Sequence, residues 1–538
     1  MRLFSCPGIR RMVAVGVLTA FVVCTQLPRA TRAAMLDNSR TFKRAQKELR
    51  EGDFEQAEAI LRELLAKDAL NNNARLALSF ALLKQRRLQE AYDHAARVLV
   101  ADPASARAHA LLGQAILASG DFRESVEEFR TALAINEGEA MAVAGLAMVD
   151  FYENRLADCV KGLRRAVSLD GNEPDYIFSL GQASARSELF KEAADSYERF
   201  LAIAHKTDED RRDRIRGLIN FLRYLGRQGP LYISSGHDAT SMSFEAIDGR
   251  PILKVRINGQ KESLRFVLDT GSGMSVISDQ TAKRLGLQPI SRGGMARAVG
   301  GVGKFEIVYG FLQSLDVGEV RIDNVPVYIR HFYDDKVPVD GYLGLSVITR
   351  FFAAVDYGDR TFKLVKPRQA DNLDLLQQPN GTVRPVIPDY VEIPVRTTSS
   401  GFLSGEVRLE GIDKPHNFII DTGASVSVVS EKLAELEELS TFRTPHLMRV
   451  FGAAGVTENV KTMMLPRVML GSMIREQINV AILDLESINE TTGFTQSGIL
   501  GSNFLRHFRV SFDFRRGVIR LEPLSKTAKS VGSDLEKM

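Results

Sequence analysis

The sequence predicts a multidomain protein in which an all-α superhelix of repeats precedes two all-β lobes that are copies of one another. Three observations carry this reading: a 34-residue recurrence in the first half, a change from helical to strand-like periodicity after residue 230, and a self-match of the second half at an offset of 152 residues. At 538 residues the chain has room for three or four domains, each able to bury its own core.

The recurrence aligns Phe54, Leu88, Phe122, Leu156 and Phe190. Three residues after each stand Ala57, Ala91, Ser125, Cys159 and Ala193, and twelve before those stand Ala45, Ser79, Gly113, Ala147 and Gly181. All are small, which lets paired helices approach closely. Helix-stopping residues recur in phase at Asp68, Asp102-Pro103, Asn136 and Asp170. Period and pattern resemble the tetratricopeptide repeat over residues 39–205, with Gly-Asp-Phe at 52–54 and 120–122 matching the turn between its two helices. Such units cover one another's apolar faces and need a terminal cap. Ile215, Leu218, Ile219, Leu222 and Leu225, at helical spacing before Gly229-Pro230, supply it, so the repeat domain is expected over 39–228. The resemblance implies a protein partner bound by the repeats.

Beyond residue 230, Ile252-Leu-Lys-Val-Arg-Ile followed by Asn258-Gly259 reads as a strand entering a tight hairpin. The offset of 152 pairs Val255 with Val407, Phe266 with Phe418, Asp269-Thr-Gly with Asp421-Thr-Gly, and Ser275 with Ser427. After a five-residue insertion the offset becomes 157 and pairs Gly344 with Gly501, Phe351 with Phe508, and Asp356 with Asp513. The lobes are expected over 240–366 and 390–525, with the proline-bearing segment 367–389 as linker.

One Asp-Thr-Gly is weak, since chance supplies it in about one chain in ten of this length. Two at equivalent places in a duplication, each behind three apolar residues and each followed later by an apolar-apolar-Gly step, are specific. They resemble the retropepsin-like aspartic peptidases, the group that includes pepsin and the retroviral proteases, over about residues 245–525. The resemblance implies two acid-protease lobes forming a pseudo-dimer, with Asp269 and Asp421 as the catalytic dyad. Thr270 and Thr422 would tie the two loops together, Gly271 and Gly423 would allow their close approach, and Gly344 and Gly501 would brace them from behind. Gly300, Gly301 and Gly303 in one lobe, and Gly452 and Gly455 in the other, fall in glycine-rich stretches where the family places flaps; the stretch in the first lobe begins at Gly293-Gly294. A pepsin-like flap aromatic is not evident. Ser272, with Ala424 as its counterpart, could donate a hydrogen bond to its own lobe's aspartate, which leads us to expect the shared proton on Asp421.

Amide hydrolysis needs a base to activate water and an acid to protonate the carbonyl oxygen and then the amine; two close carboxylates sharing one proton supply both. No metal or organic cofactor is implied, and the eight histidines show no metal-ligand spacing. The expected function is therefore an aspartic endopeptidase acting on a peptide or protein, with the repeats recruiting substrate or a regulator. Two alternatives stand beside it: a non-catalytic protein-binding scaffold, and a peptidase whose lobes pair only between chains. Asp356 and Asp513 read as hairpin acids, and Asn380 and Asn489 match a glycosylation acceptor.

Arg2, Arg10 and Arg11 precede an apolar run from Met12 to Val23 and Thr-Arg-Ala-Ala at 31–34, the order of a secretory signal peptide over residues 1–34. The run is short against the roughly 20 residues needed to span a bilayer, so no membrane span is expected after cleavage, with an uncleaved anchor as the alternative. Export to a periplasm or the exterior follows. Removing residues 1–35 takes away five arginines and no acid, leaving 65 basic against 67 acidic residues, which argues against a nucleic-acid partner. Only Cys159 survives, so the exported chain has no intramolecular disulfide and depends on packing.

Overall fold

The computed structural model describes residues 29–205, 209–298, 304–334, 337–368, 373 and 390–524. The first 28 residues of the expected leader, most of the expected linker, Asn380 and the flap candidates Gly300, Gly301 and Gly303 lie outside the described residues; positions 29–34 open the helix Arg29–Glu51. No helix among the described residues is long and apolar enough to cross a membrane.

The recurrence becomes five helix pairs. Phe54, Leu88, Phe122, Leu156 and Phe190 are the first residues of the second helices, Phe54–Lys67, Leu88–Ala101, Phe122–Ile135, Leu156–Leu169 and Phe190–Ile203. Asp53 and Asp121 cap two of them, accepting from the N–H of Gln56 (2.9 Å) and Glu124 (3.1 Å). The small residues do the expected packing. Phe129 is wholly buried in space left by Gly113, where a Cβ would lie 2.6 Å from the ring, and Gly145. The helix Glu209–Leu225 closes the stack, burying Ile215, Ile219 and Leu222.

The turn inside each pair reaches a left-handed residue at the same phase: Gly52, Arg86, Gly120, Asn154 and Glu188, with φ from +59° to +101°. That conformation costs a residue with a Cβ about 1–2 kcal/mol. Here two of the non-glycine side chains, and one glycine carbonyl, are used in docking. Asn154 donates to the Phe514 carbonyl (3.4 Å), Glu188 pairs with Arg350 (2.6 Å), and the Gly120 carbonyl accepts from Asn417 (3.2 Å). Phe494 of the second lobe is buried among repeat residues, edge-on to Phe122 (4.9 Å) and Tyr152 (5.1 Å), while Thr495 donates twice to the Ala118 carbonyl.

The capping helix docks on the first lobe. Phe221 stacks on Tyr309 at 4.4 Å, and Ser291 donates to the Gly217 carbonyl (2.8 Å). A Cβ on Gly217 would overlap the Arg292 carbonyl and Gly293 Cα, and one on Gly294 would meet the backbone of Asp213 and Arg214. Gly293-Gly294 thus sits at a bulge in the strand Ser291–Arg297, where the helix crosses, and not at a hairpin tip.

Among the described residues the β region forms a nine-stranded and a 13-stranded sheet. The strands Ala239–Ser243, Phe352–Asp356 and Thr361–Val365, which precede or follow the first lobe's main sheet, join the second sheet instead. Phe352–Asp356 pairs antiparallel with Phe508–Asp513, its own counterpart under the duplication, in the register Ala353 to Phe512 and Asp356 to Arg509. Asp356 accepts the N–H of Gly358 and Asp359, and Asp513 those of Arg515 and Arg516, so both hold hairpin turns. Asn489 is buried and hydrogen-bonded through both ends of its amide to Gln496, which leaves no free amide for modification in the folded chain. Cys159 is buried in the repeat core, and burial pushes its thiol up to about 12, which makes it unreactive.

Gly217→Val should overpack this helix-to-strand crossing and destabilise the protein by about 1–3 kcal/mol, whereas Gly229→Ala, whose nearest neighbour is 3.8 Å away, should be neutral. Chemical denaturation checks the difference, and hydrogen exchange should show the loss of protection concentrated at residues 291–297.

Candidate active site

Each Asp-Thr-Gly loop leaves the end of a short buried strand, Leu264–Leu268 or His416–Ile420. Each strand is paired in parallel with the apolar-apolar-Gly strand of its own lobe, Gly341–Leu343 or Gly498–Leu500. The Asp269 N–H donates to the Leu343 carbonyl and the Asp421 N–H to the Leu500 carbonyl, both at 3.0 Å, so the aspartates are held at the strand ends by their own backbones. Behind the loops the Gly344 N–H donates to Ser275 Oγ (3.1 Å) and the Gly501 N–H to Ser427 Oγ (3.0 Å). A Cβ at Gly344 would lie 2.7 Å from the Met274 carbonyl, and one at Gly501 would lie 2.9 Å from the Ala424 carbonyl. Ser275 and Ser427 are visible in the sequence only as a matched pair; their bracing role needs the fold.

The loops are locked across the lobes by four hydrogen bonds. Thr270 Oγ1 donates to the Ile420 carbonyl (2.7 Å) and accepts from the Thr422 N–H (3.1 Å). Reciprocally, Thr422 Oγ1 donates to the Leu268 carbonyl (2.7 Å) and accepts from the Thr270 N–H (3.2 Å). Both threonines are wholly buried. Gly271 and Gly423 then sit directly against the opposite aspartate: a Cβ on Gly423 would be 2.7 Å from Asp269 Oδ1, and one on Gly271 would collide with the Asp421 carboxyl.

The two carboxyls stand close enough that each shifts the other's protonation. Burial, and then the charge of Asp421, hold Asp269 well above the ordinary carboxylate range. Burial also raises Asp421, but the N–H groups of Gly423 (2.7 Å) and Ala424 (3.1 Å) both donate to its Oδ1 and favour the anion, while Asp269 accepts from its own loop only the Gly271 N–H (2.9 Å). These donors favour the anion at Asp421 and hence the shared proton at Asp269, the reverse of the sequence-based expectation, while the Arg330 cation pulls Asp269 the other way. The reason is local: Ser272 Oγ donates to the Met274 carbonyl (2.7 Å) and not to Asp269, whereas the backbone N–H of Ala424 does reach its aspartate.

Both aspartates line a cavity of about 1430 Å³. Its walls come from both lobes and from the repeats, including Phe80, Met141 and Phe178. Gly452 and Gly455 pair at the tip of the hairpin Arg443–Gly452/Gly455–Leu470, and Gly452 faces the cavity with Phe451. Arg330 and Tyr342 also line it beside Asp269. Neither is marked by a motif of its own, although Tyr342 falls within the apolar-apolar-Gly step where the second copy has Ile499.

Thr270→Val should leave the Thr422 N–H and the Ile420 carbonyl without partners, at about 1–3 kcal/mol for each stranded group, while Thr270→Ser should keep most of the stability. Denaturant midpoints of the two variants check this.

The aspartyl protease family model matches residues 253–347 and 405–504, and a tetratricopeptide repeat model matches 48–115. No curated protein sequence matches. Solved structures that are similar include a thermophilic TPR protein of Thermus thermophilus, at 15% identity and TM-score 0.30, covering 35% of this chain and 99% of that one. MamA of Desulfovibrio magneticus RS-1 matches at 21% identity and TM-score 0.23, covering 31% and 95%. An aspartic proteinase from Irpex lacteus matches at 13% identity and TM-score 0.35, covering 54% and 99%. The chain is thus similar over 48–115 to tetratricopeptide repeats and, in two successive segments after them, to the aspartyl protease family.

Proposed function

We propose that this protein is an aspartic endopeptidase in which Asp269 and Asp421 activate water between them. The observation that carries the reading is the close opposition of two half-buried carboxyls, each against the other loop's glycine, on loops locked by four threonine hydrogen bonds. Asp421, held as the anion, takes a proton from water as it attacks the scissile carbonyl. Asp269 gives its proton to the carbonyl oxygen, and the pair then protonates the leaving amine. A lone buried carboxylate could do only half of this.

The cavity is walled by both lobes, which suits an extended chain on both sides of the scissile bond and favours an endopeptidase. Main-chain pairing with the hairpin edges would hold it. Because the repeat helices wall the same cavity, the segment they recruit is the substrate itself or a chain continuous with it. Continuity of the sheet through Phe352–Asp356 and Phe508–Asp513 supports pairing of the lobes within one chain. The basic and apolar N-terminal segment supports export to a periplasm or the exterior.

Purified protein, with its Asp269→Asn and Asp421→Asn variants, should be assayed on an unbiased peptide library from about pH 3 to 8. Wild type should cleave, each variant should lose about 10²–10⁴-fold or more, and an equimolar mixture of the two should recover nothing. Folded wild type that cleaves no peptide overturns the reading in favour of a scaffold. Recovery on mixing transfers the site to a dimer.

The raised Asp269 also sets a pH dependence. Between the ordinary carboxylate range and its raised value the folded state binds a proton that the unfolded chain has lost, so stability falls as pH rises through that window. Asp269→Asn should flatten this slope in denaturation measured against pH. The alkaline limb of kcat/KM should lie above the ordinary carboxylate range, where the shared proton is lost.

A further inference from the structure

We propose that Arg330 forms an anion-binding subsite beside the dyad and selects a carboxylate of the substrate. The proposal rests on the peptidase reading for its meaning but not for its test.

Arg330 ends the strand Val320–Arg330, which runs parallel to Val276–Ser278 just beyond the Asp269 loop, with Arg330 opposite Ser278. In the second lobe the corresponding parallel pair sets Leu483 opposite Ser430. Ser278 and Ser430 are matched by the duplication, so Arg330 and Leu483 occupy one structural position with opposite chemistry. Leu483 packs with Ile499, Ile419 and Val428 in an apolar cluster. Arg330 instead stands with Tyr342, the counterpart of Ile499, and both line the cavity. At this one position the two lobes therefore differ, apolar in the second and cationic and aromatic in the first.

The guanidinium lies among three rings, 5.7 Å from Phe305, 5.4 Å from Phe332 and 5.7 Å from Tyr342. These give a cation a favourable face but no acceptor. Its Nε is buried without a hydrogen-bond partner, and among the described residues no carboxylate forms an ion pair with it. Asp334, close in sequence, is engaged by Arg250 at 3.2 Å. Asp269 shares the cavity wall and lies within electrostatic reach of the guanidinium, but it forms no ion pair with it and is engaged with Asp421. A half-buried cation with no ion-pair partner among the described residues, on the wall of a substrate cleft, is completed by a ligand that brings a carboxylate. A planar guanidinium accepts a carboxylate through two parallel hydrogen bonds. The ligand group is thus a Glu or Asp side chain, or the C-terminal carboxylate of the bound peptide.

The test uses binding, so it stands apart from turnover. Asp269→Asn protein, which keeps Arg330 and leaves residue 269 neutral, is titrated by fluorescence anisotropy with labelled Ala/Leu peptides. Each peptide carries Glu or Gln at one scanned position and a free or amidated C-terminus. At one position, or at the free terminus, the carboxylate form should bind about tenfold or more tightly than its neutral counterpart. Preference at an internal Glu assigns the anion to a side chain, and preference confined to the free terminus assigns it to the chain end. Adding Arg330→Leu should abolish the preference, and Arg330→Lys should keep part of it. Equal binding of carboxylate and neutral forms everywhere overturns the proposal without any change at residue 330, and so does a preference that survives Arg330→Leu. Glu preference in a protein whose wild type cleaves nothing would keep the subsite and remove the peptidase reading.

Discussion

The mutual lock of Thr270 and Thr422 is the constraint from which the rest of the site follows. Each hydroxyl donates to the carbonyl that precedes the opposite aspartate and accepts the N–H of the opposite threonine, so neither loop has satisfied backbone groups without the other. All four bonds are buried, where an unmade bond costs far more than a made one contributes. The lock brings two half-buried carboxyls into direct electrostatic contact, and that contact lets the pair share one proton. The glycines at 271 and 423 are the steric condition for the approach.

Around this centre the repeats act as a brace. The turns between their paired helices dock on the second lobe through Gly120 and Asn154, around that lobe's buried Phe494, while the capping helix grips the first lobe at Gly217. The repeat domain therefore touches both halves of the cleft and walls the cavity between them. A domain that could have hung from a flexible joint is instead part of the body that shapes access to the dyad.

Much of this was legible in the sequence where the determinants are local or repeated. A 34-residue spacing marks the first residue of every second helix because each unit must bury the same face at the same phase. The 152-residue self-match places the two aspartates, the threonines and even Ser275 and Ser427 in equivalent roles, since a duplicated fold reuses its bonding positions. What escaped reading depends on contacts between segments far apart in the chain. Gly293-Gly294 resembles a flexible turn until the capping helix is seen crossing it. Ser272 could serve its aspartate in principle, but its hydroxyl is taken by the Met274 carbonyl, and the resulting asymmetry moves the proton to Asp269. Arg330 carries no motif at all; only the strand register that sets it against Leu483 shows how the copies have diverged.

The central claim is that one chain builds one catalytic dyad from its two lobes. The most direct measurement is calorimetric titration of the full chain with a peptide carrying a non-hydrolysable hydroxyl in place of the scissile amide, together with sedimentation of the complex. The account predicts one ligand per chain on a monomer, with tight binding lost on replacing either Asp269 or Asp421 by Asn. One ligand per two chains, or equal binding by the Asn variants, would contradict it.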